Sequence, residues 1–205
     1  MIWGIYLAAG QSRRMGRPKL CLPLGGKPLG SIALEAAAAS LLNGIALVTQ
    51  PDDSMEWISA RMSDSSSRRN WVHVPCEAAR LGMAESLKCG VRAVQRLQAR
   101  AVLVLLADQP FVTAPMIDHI VTLYKKNNKP FIAASWEGIP RPPVLFDSRM
   151  FPHLLRLQGD DGARRMIRTN RDGEGMTVEW HDAKCFIDID TQSDYEMIRC
   201  KTEKN

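Results

Sequence analysis

Ile2-Trp-Gly-Ile-Tyr-Leu-Ala-Ala-Gly-Gln-Ser-Arg-Arg-Met-Gly-Arg-Pro-Lys19 begins as an apolar run and turns at once into small and basic residues. Ile2–Ala8 is continuously apolar, the pattern of a strand covered on both faces and not of one with a wet side. Similar runs recur at Ile45–Thr49, Val72–Val74, Ala101–Leu106, Phe131–Ala134, Val144–Phe146 and Phe186–Ile189. Helix-period segments separate them. In Met83–Leu97 the residues Met83, Leu87, Val91, Val94 and Leu97 form one stripe, with Lys88, Arg92, Gln95 and Arg96 placed opposite. Thr113 caps a second helix with Pro115 in its first turn. Thr191 and Asp194 form a capping-box-like start for a last one. Strands alternating with helices predict a doubly wound α/β fold, Rossmann-like, with a mostly parallel sheet. A length of 205 residues suits one domain over 1–205. Ligands of such sheets bind outside the carboxyl ends of the strands.

That rule directs attention to the residues immediately after each apolar run. Small residues after the first strand (Leu7, Ala8, Ala9, Gly10) let backbone N–H groups approach a ligand, and Arg14 and Lys19 add charge suited to a polyphosphate. The stretch is neither a Walker A loop nor G-x-G-x-x-G, and a tight turn with solvated basic residues suits it equally. Asp108 ends the run Ala101–Ala107, so its carboxylate is expected at a strand's carboxyl end. A hard oxygen ligand there suits Mg²⁺ on a triphosphate, and a turn or cap aspartate is the plainer alternative. In Phe186-Ile-Asp-Ile-Asp190 a strand would put Asp188 and Asp190 on one face and the isoleucines on the other. Two such charges need a cation or donors, unless the face is simply solvated. Gly82-Met83-Ala84-Glu85-Ser86 opens a helix whose free N–H groups can meet an anion or a base edge.

Composition narrows the classes. Apolar residues make up 45% and charged residues 24%, which excludes a disordered or fibrous chain. No run approaches the roughly 20 apolar residues of a membrane span, and the N-terminus lacks signal-peptide order, so a cytoplasmic protein is expected. Net charge of +5 suits an anionic partner. Aromatics are 6% and not interleaved with basic residues, which ranks small anions above nucleic acid. Five cysteines (Cys21, Cys76, Cys89, Cys185, Cys200) show no C-x-x-C pair and read as reduced thiols. The four histidines lack ligand spacing.

The string L-A-A-G-x-S-x-R-M-G-x-x-K-L, Leu7 to Leu20, resembles the signature of the molybdenum cofactor nucleotidyltransferases. The likeness continues through Gly82-Met-x-x-Ser86-Leu-Lys88, Leu106-Ala-Asp-Gln-Pro110, Pro143-Val-Leu-Phe146, Gly159-Asp-Asp-Gly-Ala-Arg164 and Asp188-Ile-Asp-Thr191. Ala8-Ala9 resembles the cytidylyl-transferring branch of these MobA-like NTP transferases, including accessory proteins of xanthine dehydrogenase in purine catabolism; the guanylyl branch usually has Ala-Gly-Gly. Val74-Pro75 stands where Asn-Pro is more usual, and Pro140–Pro143 where Gly-His-Pro is commoner. The resemblance implies transfer of CMP from CTP to molybdenum-molybdopterin, with release of pyrophosphate. It implies Mg²⁺ on Asp108 and Asp190, with Asp188 the second candidate for the latter. Lys19 and Arg14 would offset triphosphate charge, and the backbone of Leu7–Gly10 would hold it. Gly82, Met83 and Ser86 would line the base and ribose pocket, and Gly159–Arg164 would help contain the pterin. A xanthine dehydrogenase-like client is the implied partner. Rivals are a GTP-using or sugar-phosphate enzyme of the same fold, and a carrier that binds the cofactor without transferring a nucleotide.

Overall fold

The computed structural model describes residues 1–63, 70–159, 167 and 174–202. Nine strands are found among them: β1 (Ile2–Leu7), β2 (Pro23–Leu24), β3 (Lys27–Pro28), β4 (Gly44–Thr49), β5 (Trp71–Pro75), β6 (Ala101–Leu106), β7 (Phe131–Trp136), β8 (Ile139–Asp147) and β9 (Met176–Glu179). The helices are α1 (Leu29–Ala38), α2 (Ala60–Ser63), α3 (Met83–Arg96), α4 (Ala114–Asn127), α5 (Phe151–Leu154) and α6 (Gln192–Thr202). Seven strands form one sheet in the order β5-β4-β1-β6-β8-β7-β9. β8 pairs antiparallel with both neighbours, and the remaining pairs are parallel. β1, β4 and β6 are buried along their whole length. That is why they read as unbroken apolar runs.

Alternation along the strands divides the core. Tyr6, Ala8, Leu103 and Leu105 pack with Ala33, Leu34 and Ala37 of α1 and Met116, Ile117 and Ile120 of α4. Ile5, Leu7, Val102 and Val104 pack with Leu87, Val91 and Val94 of α3 and with Phe151 and Leu154 of α5. Helices therefore cover both faces, and the fold is doubly wound. A third cluster (Met15, Leu22, Leu24, Leu29, Ile189, Tyr195, Ile198) fastens α6 to the β2–β3 hairpin. Thr113 caps α4 through Met116 N–H, and Thr191 and Asp194 exchange bonds at the start of α6.

α3 reaches the sheet through Gly90, where an added Cβ would stand 2.5 Å from Ile5 Cγ2 and 3.2 Å from Val48 Cγ2. Both neighbours are stiff, buried, β-branched side chains, so neither can swing aside. Gly90→Ala is accordingly expected to cost about 1–3 kcal/mol despite the better helix propensity of alanine. Urea unfolding of the two proteins measures this; an alanine variant as stable as the parent would disprove the tight approach.

Four expectations need correction. Phe186–Ile189 forms no strand: a 3₁₀ turn covers Ala183–Phe186, Ile187 is extended, and 187–190 belong to no regular element. β9 was not anticipated, because a four-residue edge strand that alternates half-buried and exposed positions leaves little apolar signal. Lys88 lies on the packed side of α3, 9% exposed, with Nζ 2.7 Å from Glu85 Oε1. Its aliphatic stem fills the interface while an ion pair one turn away satisfies its charge. Cys76 and Cys89 form a disulfide with Cα atoms 6.1 Å apart, against the reading of reduced thiols. A sequence separation of 13 hides the pair, but the turn at Gly82 folds α3 back beside the end of β5. Cys21, Cys185 and Cys200 are free. No helix of the described residues is long and apolar enough to cross a membrane.

Candidate active site

A cleft of about 540 Å³ opens at the carboxyl ends of β1 and β6. Its lining includes Leu7, Ala9, Gly10, Arg13, Arg14, Lys19, Arg80, Gly82, Met83, Ser86, Asp108, Asp188 and Asp190. Eleven of the residues singled out from the sequence therefore face one space. Ala8 does not: it is buried toward α1, and its N–H bonds to Val48 O at 2.8 Å. Strand alternation explains this, since Leu7 and Ala9 point to the cleft side and Ala8 to the other. Leu7 lines the cleft at the end of β1, where its carbonyl accepts from Ala107 N–H at 3.1 Å.

The loop after β1 is ordered by its own bonds. Ser12 and Gly16 adopt left-handed φ values of 48° and 67°, and Ser12 O accepts from Met15 and Gly16 N–H. Ser12 Oγ lies 3.3 Å from Lys19 N. Among the described residues, the N–H groups of Gly10 to Arg14 have no hydrogen-bond partner. Consecutive unpaired N–H groups beside four basic side chains (Arg13, Arg14, Lys19, Arg80) form a concavity whose chemistry suits an anion.

At its floor, Lys19 Nζ lies 2.8 Å from Asp108 Oδ2 and 2.8 Å from Asp190 Oδ1. Arg14 Nη2 meets the other oxygen of Asp190 at 2.9 Å. Burial alone would lower the Lys19 pKa. The charge of Asp108 and the bonds to both carboxylates outweigh it and hold the ammonium above the ordinary lysine range. Burial likewise favours a neutral Asp190, but the Lys19 hydrogen bond and the charges of Lys19 and Arg14 keep its pKa below the usual carboxylate value. Both Lys19 and Asp190 are therefore charged at neutral pH.

Burial over 188–190 alternates as a strand's would have done. Ile189 is fully buried while Asp188 and Asp190 line the cleft. One main-chain bond, Ile189 N–H to Asp108 O at 3.0 Å, ties this segment to the end of β6. Asp188 Oδ1 accepts from the Gln109 amide at 2.8 Å, whereas the oxygens of Asp190 meet Lys19 and Arg14. Among the described residues no three His, Cys, Asp or Glu side chains converge as a closed metal cage. Asp108 and Asp190, sharing the Lys19 ammonium, could instead offer a cation an open pair of hard oxygen atoms. That fits a Mg²⁺-like ion, which takes one or two carboxylates and completes its shell with phosphates and water.

The opposite wall runs from Ala79 to Ser86. Gly82 has φ 128°, a region glycine tolerates, and it turns the short 77–81 helix into α3. The start of α3 is less open to an anion than expected, because Ala84 N–H donates to Gly159 O at 3.1 Å. Leu81, 75% exposed, and Met83 form an apolar lip, while Ser86 is buried. Residues 160–164 of the segment implied to contain the pterin lie outside the described residues. Sequence reading missed Arg80, Leu81 and Gln109. Arg80 sits on a short turn with no periodic pattern, and the buried Gln109 looked like a loop residue after a strand.

Residues 4–175 match the model of the MobA-like NTP transferase domain. The chain is 37% identical over 197 residues to the purine catabolism protein PucB of Bacillus subtilis (strain 168), covering 96% of this chain and 95% of that one. It is 29% identical over 200 residues to a probable molybdenum cofactor guanylyltransferase of Mycobacterium avium (strain 104), with 95% and 93% covered. A solved Mycobacterium tuberculosis H37Rv protein in complex with manganese shares the fold with a TM-score of 0.71, at 22% identity over 97% of each chain. With the cleft, its basic loop and its carboxylate pair placed where this fold binds ligands, the chain belongs to the MobA-like NTP transferase family and is a nucleotidyltransferase.

Proposed function

We propose that the protein transfers CMP from CTP to molybdenum-molybdopterin and releases pyrophosphate, supplying the cofactor of a xanthine dehydrogenase-type enzyme in the cytoplasm. The observation that carries this reading is Lys19 joined to Asp108 and Asp190 at 2.8 Å each, beside a loop of unpaired N–H groups. The N–H groups of Gly10 to Arg14 receive the triphosphate, with Lys19 and Arg14 offsetting its charge. Asp108 and Asp190 would hold Mg²⁺, while Asp188 accepts from the Gln109 amide. When bound, the ion neutralises charge on the phosphates and on the leaving pyrophosphate. A terminal phosphate oxygen of the acceptor attacks the α-phosphorus in line, so the protein's contribution is positioning and electrostatics without a covalent intermediate. The likeness to PucB supports a role in purine catabolism, and residues 1–205 are taken as one transferase domain.

Base choice is the sharpest test. Ala9 lines the cleft directly after β1, and its methyl group narrows the space that glycine would leave open. CTP is expected to be used in preference to GTP, and Ala9→Gly to weaken that discrimination. Incubating each triphosphate with Mg²⁺ and molybdenum cofactor, then weighing the dinucleotide by mass spectrometry, gives the answer. A wild-type protein that uses GTP at least as well as CTP favours the second reading, a guanylyltransferase, which the Mycobacterium avium relative motivates.

A further inference from the structure

Lys19 lies between the two carboxylates assigned to the metal, and it already occupies them. Its Nζ is 2.8 Å from Asp108 Oδ2 and 2.8 Å from Asp190 Oδ1, and its side chain is 9% exposed. An ammonium this buried keeps its charge only through such contacts, and the carboxylates, themselves partly buried, depend on it in turn. A divalent ion that is to use both oxygens meets a resident positive charge at contact distance. Like charges in contact disfavour one another, and the more so beside an ammonium that is itself buried.

We propose that Lys19 is a resident counter-ion that keeps bare divalent metal out of the site and yields the carboxylates only to a metal–triphosphate complex. This rests on the assignment of Asp108 and Asp190 as the metal ligands. The complex brings what a bare ion lacks: anionic oxygens to which the Lys19 ammonium can transfer. The flexible four-carbon stem and point charge of lysine suit that exchange, whereas a guanidinium fork would hold the carboxylates more rigidly. Arg14 takes no comparable part. Its side chain is 70% exposed and, among the described residues, pairs with Asp190, so solvent screens it. The resting site therefore takes metal together with triphosphate in preference to bare metal.

The test is Mn²⁺ binding without nucleotide, read from the electron paramagnetic resonance signal of the free ion. Wild type, Lys19→Gln, Lys19→Met and Arg14→Ala are compared, each checked for folding by circular dichroism. Lys19→Gln keeps a hydrogen-bonding group and Lys19→Met keeps the volume, so one serves if the other does not fold. Both are expected to bind Mn²⁺ about tenfold or more tightly than wild type, with Arg14→Ala changing affinity far less. Adding Asp108→Asn to Lys19→Gln should remove the gain, which locates it. Unchanged or weaker binding in the Lys19 variants overturns the proposal, as does a gain that survives Asp108→Asn. Pyrophosphate release by the same wild-type sample is scored separately, so failure of the transferase reading is distinguishable from failure of this one.

Discussion

Asp108→Ala is expected to lower pyrophosphate release by about 10³-fold while the protein stays folded. The size reflects the carboxylate's role: with one of two oxygen ligands gone, charge that develops between the phosphates loses a preorganised partner, and single losses of that kind cost about 10²–10³-fold. The fold should survive because Asp108 lies at the cleft and not in either sheet-facing core. The substitution also leaves Lys19 with Asp190 as its remaining carboxylate at 2.8 Å, so the buried ammonium keeps a partner. Turnover and thermal unfolding on one sample check both halves. Undiminished turnover by the folded variant would remove Asp108 from the mechanism.

Lys19→Ala should depress turnover by about 10²-fold, with a much smaller change in the binding of intact molybdenum cofactor. Interactions stronger in the transition state than in the ground state lower the chemical rate when removed. A mobile ammonium tracks negative charge as it shifts toward the leaving pyrophosphate. A carrier that merely delivers cofactor gives another pattern, with no pyrophosphate from wild type and a variant defect confined to affinity. Measuring release and binding on the same two proteins separates the cases. If Lys19→Ala abolishes cofactor binding and wild type turns over none of the triphosphates, the transferase reading is lost.

The parallel strands were legible because burial on both faces removes the polar alternation, so Ile2–Leu7 and Ala101–Leu106 announce themselves as unbroken apolar runs. Capping did the same for α4 and α6, where Thr113 and Thr191 are used as their positions suggest. Asp108, Asp188 and Asp190 were legible as carboxylates at the ends of apolar stretches. Their division of labour was not, since only the folded chain shows Gln109 bonding Asp188 and Lys19 bonding the other two. Side-chain direction within the first loop was lost in the same way: Ala8 and Ala9 are adjacent in the chain, yet face opposite sides of the sheet. Lys88 misled because charge outweighs stem length in a helical-wheel reading. The Cys76–Cys89 pair depends on a backward turn that no spacing rule encodes.

Lys19 and Asp190 touch although 171 positions separate them, and Tyr195 reaches Pro23 O across 172. Such contacts carry a large loop-closure cost and belong to the slow, late part of folding. A nascent chain extended as far as Phe186 already holds every strand of the sheet, yet lacks Asp188, Asp190 and the helix that seats Ile189. Ligand affinity thus becomes a property acquired only once residues 187–202 have been made and docked. Because a ligand stabilises only the state that binds it, nucleotide shields above all the docking of residues 187–202, and that segment should be the one whose protease resistance tracks nucleotide concentration.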